Sequence, residues 1–159
     1  MDTKSRYAVS PNSIPWPPLL YISAALVAVL IDRVIANDAQ LPVWASRIGW
    51  AVLAGGVMLD VSAMVTMARA RANILPHRAA TALVTTGPFR FTRNPIYVGN
   101  TIMMLGASAA FANFWFVVTG LIAAVAVHHL AIKREEAHLA LKFGAAWQAY
   151  AARTPRWLN

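Results

Sequence analysis

Two adjacent carboxylates, Glu135 and Glu136, open a run of residues whose types and spacing could do chemistry. Read as a helix at about 100° per residue, Leu139, Phe143, Trp147 and Tyr150 fall on one apolar stripe. Glu136 lies at the centre of that stripe, Glu135 at its edge, and His138 and Lys142 further round. His129, seven residues before Glu136, shares the stripe. A carboxylate on the buried face of a helix needs a partner. The pattern leaves two open: a nearby arginine in a structural ion pair, or a cationic ligand. Gly144 interrupts the run and costs a helix ~1 kcal/mol.

A second group lies upstream, where Arg90 and Arg93 precede Asn94-Pro95 and Tyr97. Gly87-Pro88 marks a turn. Asparagine is a good N-cap and proline suits the first helical position. Taken alone, Asn94-Pro95 starts a helix and the two arginines anchor it among lipid headgroups. Asp60 is the third group of interest, an acid in the middle of an apolar stretch. Such a residue is a functional-site hypothesis by default, and its structural alternatives are a hydrogen bond to Ser62 or a pair with Arg69. His128 and His129 read as interface or core histidines, because few companions exist to complete a metal shell. No metal site is expected.

Composition narrows the classes of function. There is no cysteine, which removes disulfides, thiolate zinc sites and cysteine nucleophiles. Six acidic residues and four histidines are too few for a carboxylate-bridged two-metal centre. The sequence holds no phosphate-cradling Walker loop, no G-x-G-x-x-G and no G-x-S-x-G. Hydrophobic residues make up 58% of the 159, and charged residues only 13%, against roughly 25% in soluble domains. Mean hydropathy is +0.52. The net charge of +8 admits nucleic acid or an anionic membrane. The basic residues follow the ends of apolar stretches and no nucleic-acid module is present, so the membrane is the partner and nucleic acid is not.

The elements that must position these groups are four apolar stretches, at about 16–31, 43–68, 96–111 and 114–132. A spanning helix needs ~20 apolar residues, so the first and third are short. Only Ala112-Asn113 separates the third from the fourth, which makes them a tight hairpin. The expected fold is all-α: one integral membrane domain over 1–159, with about four transmembrane helices, a loop at 75–99 and a C-terminal amphipathic helix at 134–153. Four spans put both termini and the middle loop on one side. That side carries Lys4, Arg6, Arg69, Arg71, Arg78, Arg90, Arg93, Lys133, Arg134, Lys142, Arg153 and Arg156, and the other only Arg33 and Arg47. The bias places both termini in the cytoplasm, and the expected location is a bacterial inner membrane. A cleaved signal peptide ending at Val34-Ile35-Ala36 is the other reading of the first stretch; Asp32-Arg33 interrupts it.

Two segments together go beyond these generic readings. Gly87-Pro88-Phe89-Arg90-Phe91-Thr92-Arg93-Asn94-Pro95-Ile96-Tyr97-Val98-Gly99 resembles the G-P-[YF]-R-x-x-R-[HN]-P-x-Y-x-G motif of membrane methyltransferases. Glu135-Glu136-x-x-Leu139 followed by Phe143-Gly144-x-x-Trp147-x-x-Tyr150 is similar to their second motif, and Pro155-Arg156-Trp157 fits their C-terminal end. These are the isoprenylcysteine carboxyl methyltransferase and phospholipid methyltransferase families. The resemblance covers roughly residues 80–159. It implies S-adenosylmethionine as cofactor, held at the cytoplasmic membrane face. Carried over by position, Arg93, Asn94, Pro95, Tyr97 and Gly99 form one wall, and Glu135 and Glu136 the other, with Tyr97 packing on the adenine ring. Many members have His where this chain has Asn94, which cannot act as a base.

The activity implied is direct methyl transfer to a lipophilic acceptor entering from the bilayer, such as an isoprenylcysteine-type carboxylate. A carboxylate acceptor needs no base. An amine, as in phospholipid N-methylation, must lose a proton, and His129 or Glu136 would take it. Arg90, Arg134 and Arg156 would hold an anionic acceptor group. Two other readings remain: a related membrane enzyme with another cofactor, such as a reductase, and a non-enzymatic membrane protein that keeps the fold. Oligomeric state is not legible.

Overall fold

A computed structural model describes residues 16–35, 40–73 and 79–158. Lys4, Arg6, Arg78, the 75–78 part of the loop and Ala36 of the candidate cleavage site lie outside the described residues. Among the described residues there are only helices and connections. α1 (Trp16–Val34) and α2 (Val43–Arg69) are followed by a 3-10 turn (Gly87–Arg90) and α3 (Pro95–Ala110). α4 (Trp115–Val127) runs through a π-helical turn (His128–Ile132) into α5 (Lys133–Phe143), and α6 (Ala145–Arg153) closes the chain.

Among the described residues three helices are long and apolar enough to cross a membrane: the 18 residues Pro17–Val34, Val43–Arg69, and the 29-residue rod Trp115–Phe143. Asp32-Arg33 does not end α1, because a cation in the last turn complements the helix dipole. α3 has 16 residues. At the ~1.5 Å rise per residue it is roughly 24 Å long, short of a ~30 Å hydrocarbon core, so it spans only with its flanking residues. The α3–α4 hairpin is closed by Asn113, which is 3% exposed. Its Oδ1 accepts from the Trp115 N–H at 2.9 Å, and its Nδ2 donates to the Ala28 carbonyl at 3.2 Å.

The fourth apolar stretch does not stop at Ile132. Nothing in the run His128–Phe143 breaks a helix, and the Lys133–Glu136 residues are good helix formers. The break falls at Gly144, whose φ of 49° with ψ of −122° is tolerated only without a Cβ. The single amphipathic helix expected over 134–153 is therefore two, and the turn between them folds Trp147 and Tyr150 back onto the bundle, where both are buried.

α2 and α3 make the most intimate contact in the molecule, antiparallel and nearly backbone to backbone. Glycines permit this. A Cβ on Gly106 would fall on the Leu53 backbone, and one on Gly99 would fall on the Asp60 carboxylate, with the Gly56 carbonyl at 2.9 Å. Gly99→Ala should therefore destabilise the protein by about 1–3 kcal/mol through overpacking. Asp60→Ala on the same background should recover part of that loss in the thermal unfolding midpoint in detergent. Asp60 is paired neither with Ser62 nor with Arg69. Its Oδ2 accepts from Asn100 Nδ2 at 3.3 Å, and its Oδ1 packs on Gly99 without a hydrogen-bond partner.

Candidate active site

The N-terminal end of α3 and the α5 segment of the rod meet at one end of the bundle. Between them and the 79–94 connection lies a cleft. Its floor and walls are largely apolar: Met67 from α2, Leu83 and Val84 from the connection, Phe89 from the 3-10 turn, and Leu139 and Trp147 from α5 and α6. Its polar groups are few: Arg93, Asn94, Tyr97, Glu135, Glu136 and His138, with Asn73 and Tyr150 also in the lining. Mostly apolar walls with a few convergent polar groups are the ordinary make-up of a small-molecule site.

The two carboxylates have different surroundings although they are adjacent. Glu136 is 13% exposed and carries two guanidinium groups. Arg93 Nη1 lies 3.2 Å from its Oε1. Arg156 grips it with both prongs, Nε to Oε1 at 2.9 Å and Nη2 to Oε2. Of the two partners the stripe left open, Glu136 has taken the arginines. Glu135 has no cation on it. Its Oε1 accepts from the Tyr97 hydroxyl at 2.7 Å, and a neutral phenol leaves a half-buried carboxylate short of positive charge. Tyr97, which the resemblance set on the adenine ring, thus spends its hydroxyl on Glu135 and is 8% exposed.

Arg93 is the second under-satisfied group. Its side chain is 14% exposed, Nε is buried without a hydrogen-bond partner, and Cζ sits 5.7 Å from the centroid of the Trp147 ring. Its backbone N–H donates to the Pro155 carbonyl at 2.9 Å. The Arg156 carbonyl accepts from the Thr92 hydroxyl and from Asn94 Nδ2, both at 3.0 Å. Asn94 is the N-cap residue of α3 by position, yet no side-chain cap bond forms. Its amide instead ties the C-terminal segment to the start of the helix. Tyr150 closes the same region from α6, its hydroxyl donating to the Phe89 carbonyl at 2.7 Å. Burial pushes that hydroxyl up to about 12, against the opposing pull of Arg93 and Arg153, so it remains a donor at any physiological pH. Tyr150→Phe should orphan the buried carbonyl and cost about 1–3 kcal/mol, read as a lower unfolding midpoint.

Six of the residues assigned by sequence line the cleft together: Arg93, Asn94, Pro95, Tyr97, Glu135 and Glu136. The other five do not. Gly99 faces α2, where its lack of a Cβ makes room for Asp60. Arg90 and His129 are exposed, and Arg134 is half-buried on another side of the rod. His129 stacks edge-on against His128 with ring centroids 5.0 Å apart, away from the cleft. Arg156, expected to hold an acceptor anion, is engaged by Glu136 instead. His138 has no role in the helical stripe or in either motif. It is 1% exposed, lines the cleft, and its Nε2 accepts from the Ala80 N–H at 3.2 Å, which pins the connection over the site. It stands three residues after Glu135, a spacing that puts the two side chains on neighbouring positions of one helix face. Among the described residues no group of three or more His, Cys, Asp or Glu is placed to hold a metal ion.

The architecture matches a known pattern. A family model described as phospholipid methyltransferase covers residues 44–146, well over half of the chain. The chain belongs to the phospholipid methyltransferase family. No curated protein and no solved structure matches it. The family match runs from the second residue of α2 through the connection, α3, α4 and α5, and so contains Arg93, Asn94, Tyr97, Glu135, Glu136 and His138, while Tyr150 lies beyond it. In this family member the two sequence motifs, which lie some forty residues apart, are brought together by the α3–α4 hairpin.

Proposed function

We propose that this phospholipid methyltransferase family member is an S-adenosylmethionine-dependent enzyme that methylates a lipophilic acceptor at the cytoplasmic membrane face. The observation that carries the reading is the pairing, in one apolar cleft, of a carboxylate that lacks a cation, Glu135, and an arginine, Arg93, whose Nε has no acceptor although Nη1 reaches Glu136. The amino-acid end of S-adenosylmethionine is a zwitterion. Glu135 suits its ammonium or sulfonium charge, and Arg93 suits its carboxylate. The aromatic rings of Phe89 and Trp147 offer surfaces for a heterocycle. The residues therefore fit the group.

When bound, the cofactor supplies an electrophilic methyl group, and the protein's part is orientation and exclusion of water. Glu135 and Arg93 fix the polar end. Tyr97 holds Glu135 in place. His138 keeps the connection shut over the site. The apolar side of the cleft, at Met67, Leu83 and Val84, continues the greasy surface of α2 and admits a membrane-soluble acceptor. An isoprenylcysteine-type carboxylate can be methylated without proton transfer. This suits a cleft in which Asn94 replaces a titratable residue, Glu136 is saturated by arginine and His129 is elsewhere. A phospholipid amine is the alternative acceptor, and would draw on Glu135 as base.

Calorimetry on the detergent-solubilised protein tests the cofactor: S-adenosylmethionine and its demethylated product should bind, and a flat titration with both would sink the proposal. Incubation of membranes with methyl-deuterated cofactor tests the acceptor. Mass spectrometry should find label in a lipid-soluble ester, and label confined to phospholipid amines would select the alternative.

A further inference from the structure

We propose that a second cleft, behind the Arg93–Glu136–Arg156 ion cluster, is a binding site for a phosphate group. Arg93, Arg153 and Arg156 wall this cleft together with His128, Thr154 and Trp157. None of its lining residues carries a carboxylate, which makes its chemistry opposite to that of the cofactor cleft. Glu136 is the anion of the cluster, and it is shared by two guanidinium groups. Arg153 adds a third cation. The local charge is therefore surplus positive, with the third cation exposed at the rim, and a surplus of that sign favours an anionic ligand.

The donors are in place for one. Arg156 spends Nε and Nη2 on Glu136, which leaves Nη1. The Trp157 indole N–H donates to His128 Nδ1 at 3.3 Å. A neutral imidazole that accepts at Nδ1 carries its proton on Nε2, so His128 is a further donor. Guanidinium groups favour tetrahedral oxyanions because two parallel N–H bonds match two oxygens. The place in the fold agrees. The cleft adjoins the π-helical turn His128–Ile132, where the apolar half of the rod gives way to the charged Lys133–Glu136 run. In a bilayer that level is the headgroup layer, where lipid phosphates are concentrated. The site is independent of the methyltransferase reading and needs neither cofactor nor turnover.

Two sources carry the group, the phosphodiester headgroup of a membrane lipid and free phosphate. Native mass spectrometry of the full chain in detergent separates them, with short-chain phosphatidylglycerol, inorganic phosphate and, as the uncharged control, short-chain diacylglycerol. The expected result is one phosphatidylglycerol retained and no diacylglycerol. Arg153→Gln should weaken that retention about tenfold or more, the loss of one charge-assisted contact, while Arg153→Lys keeps most of it. Arg153 is exposed, so both variants should unfold at the wild-type midpoint. Retention of inorganic phosphate as well would identify free phosphate as a source; retention of the lipid alone would identify the headgroup. Equal retention of phosphatidylglycerol by wild type and Arg153→Gln, or retention of diacylglycerol as strong as that of phosphatidylglycerol, overturns the proposal.

Discussion

Glu136→Gln is expected to destabilise the protein by roughly 3–5 kcal/mol, the range for removing one partner of a buried ion pair. The value should fall at the lower end, because the Arg156 side chain keeps 34% of its exposure. The cost does not come from a lost contact alone. Arg93 and Arg156 would be left facing each other, with Arg93 Nε already without a partner. Release of Arg156 also loosens the segment whose carbonyls hold the Arg93 N–H, the Thr92 hydroxyl and the Asn94 amide. The unfolding midpoint in detergent should drop, and trypsin should cut after Arg156 faster than in wild type. Arg156→Gln should cost less, since Arg93 still compensates Glu136, and the double variant should cost less than the sum. An unchanged midpoint together with unchanged cleavage in Glu136→Gln would show that the cluster does not hold the tail.

Much of this arrangement was legible in the sequence, and the illegible part has a physical cause. Apolar runs of about membrane length marked the helices, and Ala112-Asn113 marked the hairpin. The fold class followed from composition. The two motifs named six residues that line the cleft. What spacing could not give was the direction of side chains that meet only through tertiary docking. Glu136 and Arg156 are twenty residues apart and Asn94 and Arg156 sixty-two, and no periodicity links them. Glycines are equally mute: Gly99 reads as a cofactor wall or a helix contact, and only the approach of α2 decides it. Asn94 has the right type and place for a side-chain cap, but the Arg156 carbonyl competes for its amide and wins. The rod runs past the apolar limit at Ile132 because a change from apolar to charged residues does not itself end a helix. A helix ends where its backbone must, here at Gly144, and the Lys133–Phe143 turns continue the span into the polar layer. His138 carried a usable signal, three residues from Glu135 on the same face.

Glu135→Gln should have the opposite signature to Glu136→Gln. The fold should stand and cofactor affinity should fall. In the protein as it is, Glu135 contributes one hydrogen bond, from the Tyr97 hydroxyl, and an amide oxygen can accept that bond as well. Removing the charge even relieves an uncompensated half-buried carboxylate, so the unfolding midpoint should hold or rise. In the proposed complex with S-adenosylmethionine the same charge faces the cofactor's cationic end. A hydrogen bond to a charged group contributes about 1.5–3 kcal/mol, which corresponds to a loss of roughly 10- to 150-fold in affinity for S-adenosylmethionine and its demethylated product. Tyr97→Phe should lose severalfold at most, because it takes away the carboxylate's orientation but not its charge. Arg93→Lys should weaken binding as well, and also destabilise, since Arg93 serves both Glu136 and the cleft. Calorimetry and thermal unfolding on the same three preparations separate these effects. If Glu135→Gln binds the cofactor as tightly as wild type, the cation is met elsewhere and the cleft is assigned the wrong way round.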